Sequence, residues 1–294
     1  MSLTSVLKSS RPAFLLLTPV CVWLGAALAM PVEKTPSVNL VLVFLGALLA
    51  HISVNLFNEY VDYRSGLDLA TDKTPFSGGS GALPHDPSAA RYVFAGGVAS
   101  LLATIAIGLY LLSVVGIKLL PLGVVGALLV VTYTPFINRY PLLCLIAPGL
   151  GFGGLMVVGT QLVLTGDYSA SVFWIALIPF FLINNLLLLN QFPDIDADRQ
   201  VGRRTFPIVY GARASCWVYA GFAFLAYGLM VVLLVTEFLP IAASIALLPA
   251  GLSLYALHGA WQYGKAIGEQ TRFLAANVAA SLLTPSLLAI SLML

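Results

Sequence analysis

Apolar residues run through this chain in long unbroken blocks. They show neither the strict alternation of half-buried strands nor the narrow stripe of surface helices. A helix needs about 20 apolar residues to cross the hydrocarbon core of a bilayer. Candidate blocks of about that length lie at 13–30, 39–57, 92–114, 118–135, 143–165, 171–190, 214–236, 238–257 and 272–293. The fourth is short and carries Pro121. The pattern predicts an all-α, polytopic membrane bundle of about nine transmembrane helices, with residues 1–294 forming one domain. The two long polar interruptions are the loops 58–91 and 191–213.

Composition supports the same class. Of 294 residues, 60% are hydrophobic and 9% charged, against about 25% charged in soluble domains. That excludes a soluble enzyme, a disordered chain and a nucleic-acid binder, which needs a basic face. Ala27-Leu28-Ala29 mimics a signal-peptidase site. The run before it is long for a signal peptide and broken by Thr18-Pro19, so it is expected to remain as the first span. Placing the N-terminus in the cytoplasm puts twelve of the 14 Lys and Arg residues on the cytoplasmic side. Only Lys34 and Lys118 fall opposite. Cys21, Cys144 and Cys216 are widely spaced in apolar stretches, which suggests inert packing.

The acids are concentrated. Five of 12 fall in the first polar loop (Glu59, Asp62, Asp68, Asp72, Asp86) and three in the second (Asp194, Asp196, Asp198). Both loops begin with Asn-x3-Asp at the same end of an apolar helix, as Asn58/Asp62 and Asn190/Asp194. This spacing suggests a parallel repeat of spans 1–4 and 5–8 with a ninth added. His51, Asn55, Asn58 and Asp62 are spaced 4, 3 and 4, which makes one polar stripe on a helix. Asn190, Asp194 and Asp198 make a second. Asp196 falls elsewhere, and Pro193 predicts a local break.

Polar groups at membrane depth face a bundle interior or a wet cavity. Four carboxylates brought together need cations, and hard oxygen ligands without His or Cys suit magnesium. Magnesium commonly bridges carboxylates to phosphate oxygens, so the acids predict a phosphate-bearing substrate. Arg64, Lys73, Arg199, Arg203 and Arg204 are interleaved with them and suit such a ligand. They also suit positive-inside anchoring. The run Ser77-Gly78-Gly79-Ser80-Gly81 reads either as a phosphate-facing backbone or as a flexible loop, and it lacks the Gly-Lys-Ser/Thr of a Walker loop. His51 reads as a structural histidine or a catalytic one. Tyr60, Tyr133 and Tyr140 read as interfacial belt residues or as rings lining a cavity for a carbocation.

Two Asp-rich motifs on such a bundle resemble the UbiA superfamily of intramembrane prenyltransferases. The motifs are Asn58-x3-Asp62-x5-Asp68 and Asn190-x3-Asp194-x3-Asp198, the latter followed by Gly202-Arg203-Arg204-Thr205. The x5 gap and the Gly-Arg-Arg-Thr tail look most like the branch that prenylates 1,4-dihydroxy-2-naphthoate for menaquinone. The resemblance implies two magnesium ions, one on Asp62 and Asp68 and the other on Asp194 and Asp198. They would bridge the diphosphate of a polyprenyl donor, with Asn58, Asn190, Arg64, Lys73, Arg199 and Arg204 assisting. It implies an allylic cation shielded by Tyr60 and Tyr133, with Tyr140 among the substrate-binding residues, then attack by an aromatic acceptor and loss of carbon dioxide. The site would open to the cytoplasmic side of a bacterial or archaeal inner membrane. Alternatives are another acceptor (4-hydroxybenzoate or homogentisate) or an ion-coupled transporter. The position of the acids at span ends, not midpoints, favours the enzyme.

Overall fold

The computed structural model describes residues 2–30, 37–71 and 73–294. Lys34 and Asp72 lie outside the described residues. The described chain is helical without strands. It comprises α1 (Ser2–Ser9), α2 (Leu17–Ala27), α3 (Ser37–Ser65), α4 (Leu67–Ala70), α5 (Ala82–His85), α6 (Ala90–Val115) and α7 (Leu120–Thr132). Next come α8 (Pro141–Gly149), a π-helical segment (Leu150–Val157) and α9 (Val158–Thr165), which together make one span. The remainder is α10 (Ala170–Asn190), α11 (Ile195–Gln200), α12 (Phe206–Val235), α13 (Ala250–Tyr263) and α14 (Thr271–Met293).

Among the described residues, seven helices are long and apolar enough to cross a bilayer, or eight if the bent pair Leu3–Ser9 and Phe14–Ala27 is one span. The expected nine is thus not reached. The first expected block is one limb of that pair, bent by 55°, where Arg11 takes a positive φ and Pro12 follows. The fourth block becomes Ile117–Thr132, apolar but shorter than a full crossing. A second boundary also moves. The apolar block ends near 57, yet α3 continues to Ser65, and Gly66 with φ 81° breaks it. Asn58 and Asp62 therefore stand on one continuous helix.

The helices pack through small residues and buried amides, as bilayer helices must where lipid gives no apolar driving force between them. At the crossing of α8 with α10, a Cβ on Gly149 would lie 2.6 Å from the Asn184 side chain. Instead the Gly149 N–H donates to Asn184 Oδ1 at 2.6 Å. A second relay joins three helices: Asn185 Nδ2 donates to the Tyr219 carbonyl (2.9 Å), Tyr219 OH to Asn277 Oδ1 (2.8 Å), and Asn277 Nδ2 to the Asn185 carbonyl (3.1 Å). Leu24, Ile178, Leu182, Leu186, Met230 and Leu288 fill the core between α2, α10, α12 and α14. The three cysteines are free and buried, in keeping with inert packing. The most apolar stretch of α10 is 67% buried, whereas that of the span containing α6 is 6% buried and faces outward. α6 packs on α3, where Ser53 Oγ donates to the Gly97 carbonyl at 2.8 Å.

Candidate active site

A cavity of ≈ 620 Å³ opens between α3, α6, α7 and the π segment. Leu42, Leu101, Leu112, Val124, Leu155 and Met156 line its apolar body. Its α3 wall runs from Leu42 to Asp62, which at 1.5 Å per residue is about 30 Å, the thickness of a hydrocarbon core. The stripe His51, Asn55, Asn58 and Asp62 lies along this wall. His51 Nδ1 sits 2.9 Å from Thr18 Oγ1, and its ring meets Phe152 edge-on at 4.7 Å. Both contacts fit a structural histidine.

The polar end of the cavity unites the two motifs. Asn58 and Asp62 come from α3, and Asp68 from α4 just after the Gly66 break. α10 supplies Asn190, a turn across 191–194 supplies Asp194, and α11 supplies Asp198. The break expected at Pro193 is present, and all three residues of the second stripe still reach the cavity. Tyr133 closes the same end from beyond α7. Asp196 points away, is 57% exposed and pairs with Lys265.

Arg203 also lines this end. Its guanidinium bridges the motifs, pairing with Asp62 and donating from Nη1 to Asp198 Oδ1 at 2.9 Å. The positive φ of Gly202 turns the chain before it, and the Arg203 N–H donates to the Asp198 carbonyl at 3.1 Å. Burial works against the charge, but Asp62 and Asp198 overcome it and hold this guanidinium above its ordinary value.

The glycine-rich loop folds over the acids. Gly78 donates its N–H to Asp194 Oδ2 at 3.2 Å, and Ser80 donates from N and Oγ to Glu59 at 2.7 and 2.5 Å. Gly79 has φ 73°, and a Cβ there would sit 2.6 Å from Asp68 Oδ1. The backbone donors at 78 and 80 thus face protein carboxylates. Glu59 is wholly buried and takes Arg11 as its ion-pair partner at 2.6 Å.

Burial pushes Asp68 up to about 7, helped by the charges of Glu59 and Asp62. Burial also pushes Asp194 up to about 7, with Asp198 adding to it and the Gly78 N–H opposing. Asp198 is raised by burial to about 6, with Arg203 opposing. Asp68 Oδ2, Asp194 Oδ1 and both polar atoms of the Asn190 amide are buried without a partner. Such orphans are costly in isolation, and their chemistry is that of hard-cation ligands. The donor set therefore fits magnesium. Among the described residues, no three acidic, His or Cys side chains are already gathered as a metal shell.

Other expected site residues lie elsewhere. Tyr60 and Arg64 line a separate depression with Arg91 and Phe94. Each is two positions from a stripe residue, about 200° round α3. Lys73 and Arg199 are exposed, although Lys73 lies against Gly81 and its charge acts on Asp68. Arg204 is exposed and anchors the turn, its N–H donating to the Asn138 carbonyl at 2.9 Å. Tyr140 is exposed and packs on Phe136 at 4.7 Å, as a belt residue would. Sequence reasoning missed Arg203 as the motif bridge and Glu59 as the loop's anchor. The only signal for either was a charge beside a motif Asp or within a basic run.

Comparison with known proteins fits this geometry. The model of the UbiA prenyltransferase family matches residues 17–279. A 1,4-dihydroxy-2-naphthoate octaprenyltransferase of Bacillus subtilis (strain 168) is 27% identical over 236 residues, covering 77% of this chain and 72% of that protein. The fold is shared with a digeranylgeranylglyceryl phosphate synthase (TM-score 0.69, 16% identity, 99% of both chains). It is also shared with a UbiA homologue from Archaeoglobus fulgidus bound to GPP and Mg2+ (TM-score 0.64, 14% identity, 99% of this chain and 100% of that one).

Proposed function

The chain belongs to the UbiA prenyltransferase family, and we propose that this membrane prenyltransferase moves a polyprenyl group from its diphosphate to 1,4-dihydroxy-2-naphthoate, a step of menaquinone biosynthesis. The observation that carries this reading is the polarity of one cavity: carboxylates and an arginine at one end, and behind them an apolar body lined by Leu42, Leu101, Leu112, Val124, Leu155 and Met156. A polyprenyl diphosphate has the same two ends. The naphthoate acceptor is supported by the Bacillus subtilis relative and by the motif spacing.

Asp62 and Asp68 would hold one magnesium ion, and Asp194 and Asp198 a second. The ions, when bound, supply positive charge to the leaving diphosphate. The side chains do the rest. Asn58 and Asn190 offer amide groups to the diphosphate, and Arg203 adds charge at the same end. Tyr133 presents its ring beside the carbon that loses the C–O bond, whose electron pair leaves with the diphosphate. The apolar wall excludes water from that carbon. The acceptor ring supplies the pair for the new C–C bond, and departure of carbon dioxide returns a pair to the ring. The excess of basic residues on this side supports a cytoplasmic opening.

The test is product formation by the purified protein in nanodiscs, with magnesium or with EDTA. Geranyl and longer donors would be offered with 1,4-dihydroxy-2-naphthoate, 4-hydroxybenzoate or homogentisate. Magnesium-dependent prenylated naphthol with release of carbon dioxide is the expected result. Product from another ring only would overturn the naphthoate assignment and leave the prenyl transfer standing.

A further inference from the structure

Asp62 and Asp198 come from different motifs, 136 residues apart in sequence, yet one guanidinium joins them. Arg203 Nη2 also reaches Asn58 Oδ1 at 3.4 Å, so three of the polar-end residues meet a single side chain. Its side chain is 16% exposed, and the two carboxylates are 6% and 4% exposed. Meanwhile Asp68 and Asp194, the other acid of each motif, each keep a buried oxygen without a partner. The acids thus divide into a pair satisfied by arginine and a pair left open.

We propose that Arg203 is the site's internal cation. It ties the two motifs together when metal is away, and it competes with the divalent ions for Asp62 and Asp198. Two like-charged carboxylates cannot share a buried end without a counter-charge, and Arg203 supplies it. A divalent ion that takes the same oxygens must displace the guanidinium. A planar guanidinium released there suits diphosphate oxygens in two-point contact. Metal arrival and readiness for the diphosphate would then be one exchange. The inference rests on reading this end as a metal site.

The test needs no turnover. Mn2+ binding to the substrate-free protein in nanodiscs would be measured by calorimetry, with melting in EDTA as a second readout. Variants would be Arg203→Gln and Arg203→Lys. With the competitor removed, R203Q should bind Mn2+ about tenfold more tightly, an ordinary size for coupling between two ligands, while melting earlier in EDTA. Arg203→Lys keeps the charge but not the two-point bridge, and should fall between. If R203Q does not fold, R203K carries the comparison. Equal or weaker Mn2+ affinity in the folded variants overturns the competition. A wild-type protein that binds no divalent ion, with or without diphosphate, would instead overturn the metal-site reading beneath it.

Discussion

Arg11 donates from Nε to Glu59 Oε1 at 2.8 Å, fastening the segment between α1 and α2 to the acid that also holds Ser80. Glu59 is buried with four donor contacts on two oxygens. Glu59→Ala leaves a guanidinium and the loop donors unpaired. Breaking one side of a buried pair costs about 3–5 kcal/mol, so this variant should melt well below wild type in detergent. Glu59→Asp should recover part of the loss. A melting temperature for Glu59→Ala equal to wild type would show that the clamp does not hold the loop.

Asp62→Ala and Asp194→Ala each remove a proposed metal ligand from a different motif. Turnover should fall by about 10²-fold or more, the scale of losing one transition-state charge stabiliser. The variants should still insert and fold. Wild-type-like activity in either would contradict the two-ion arrangement.

Acidity sets the third expectation. Asp68 and Asp194 stand at about 7 and Asp198 at about 6, all above the ordinary carboxylate range. A raised folded-state value means that the metal-free protein holds more protons folded than unfolded between about pH 4 and 7. Its stability in EDTA should therefore decrease as pH rises through that window. Magnesium binds the deprotonated groups, so apparent magnesium affinity should increase over the same range. Melting in EDTA and in magnesium from pH 5 to 8 checks both signs. A metal-free melting temperature that climbs with pH would contradict the burial argument.

The apolar body offers a fourth. Gly123 lines the cavity, and a Cβ there meets nothing within 4 Å. Gly123→Leu removes a poor helix former from α7, a gain of up to about 1 kcal/mol, while filling cavity space. The protein should stay folded and shift its donor preference from longer chains toward geranyl diphosphate. Competition between two donors, read by product mass, decides it. An unchanged preference would place the prenyl chain elsewhere.

The class of fold and the polar end of the site were legible because membrane helices leave long apolar blocks and because helical spacing alone groups Asn58 with Asp62. Apolarity could not locate helix ends, since α3 continues for eight residues past its apolar block until Gly66 stops it. It also could not separate a full span from α7 with its short neighbour. The basic residues were the harder problem. Arg64, Arg199 and Arg204 share composition and neighbourhood with Arg203, and only chain direction after Gly202 selects the one that enters. Helix phase could have removed Tyr60 and Arg64, each half a turn from the stripe.

Gly79 lies so close to Asp68 that any side chain there would press on a proposed ligand. No atom of that residue takes part in the chemistry assigned above. Its identity is set twice, by the left-handed turn it occupies and by the carboxylate beside it. A single added methyl group would therefore reach two things at once, the seat of Asp68 and the loop that Glu59 fastens. The smallest residue in the chain is the spacer that keeps the lid of the site off its ligands.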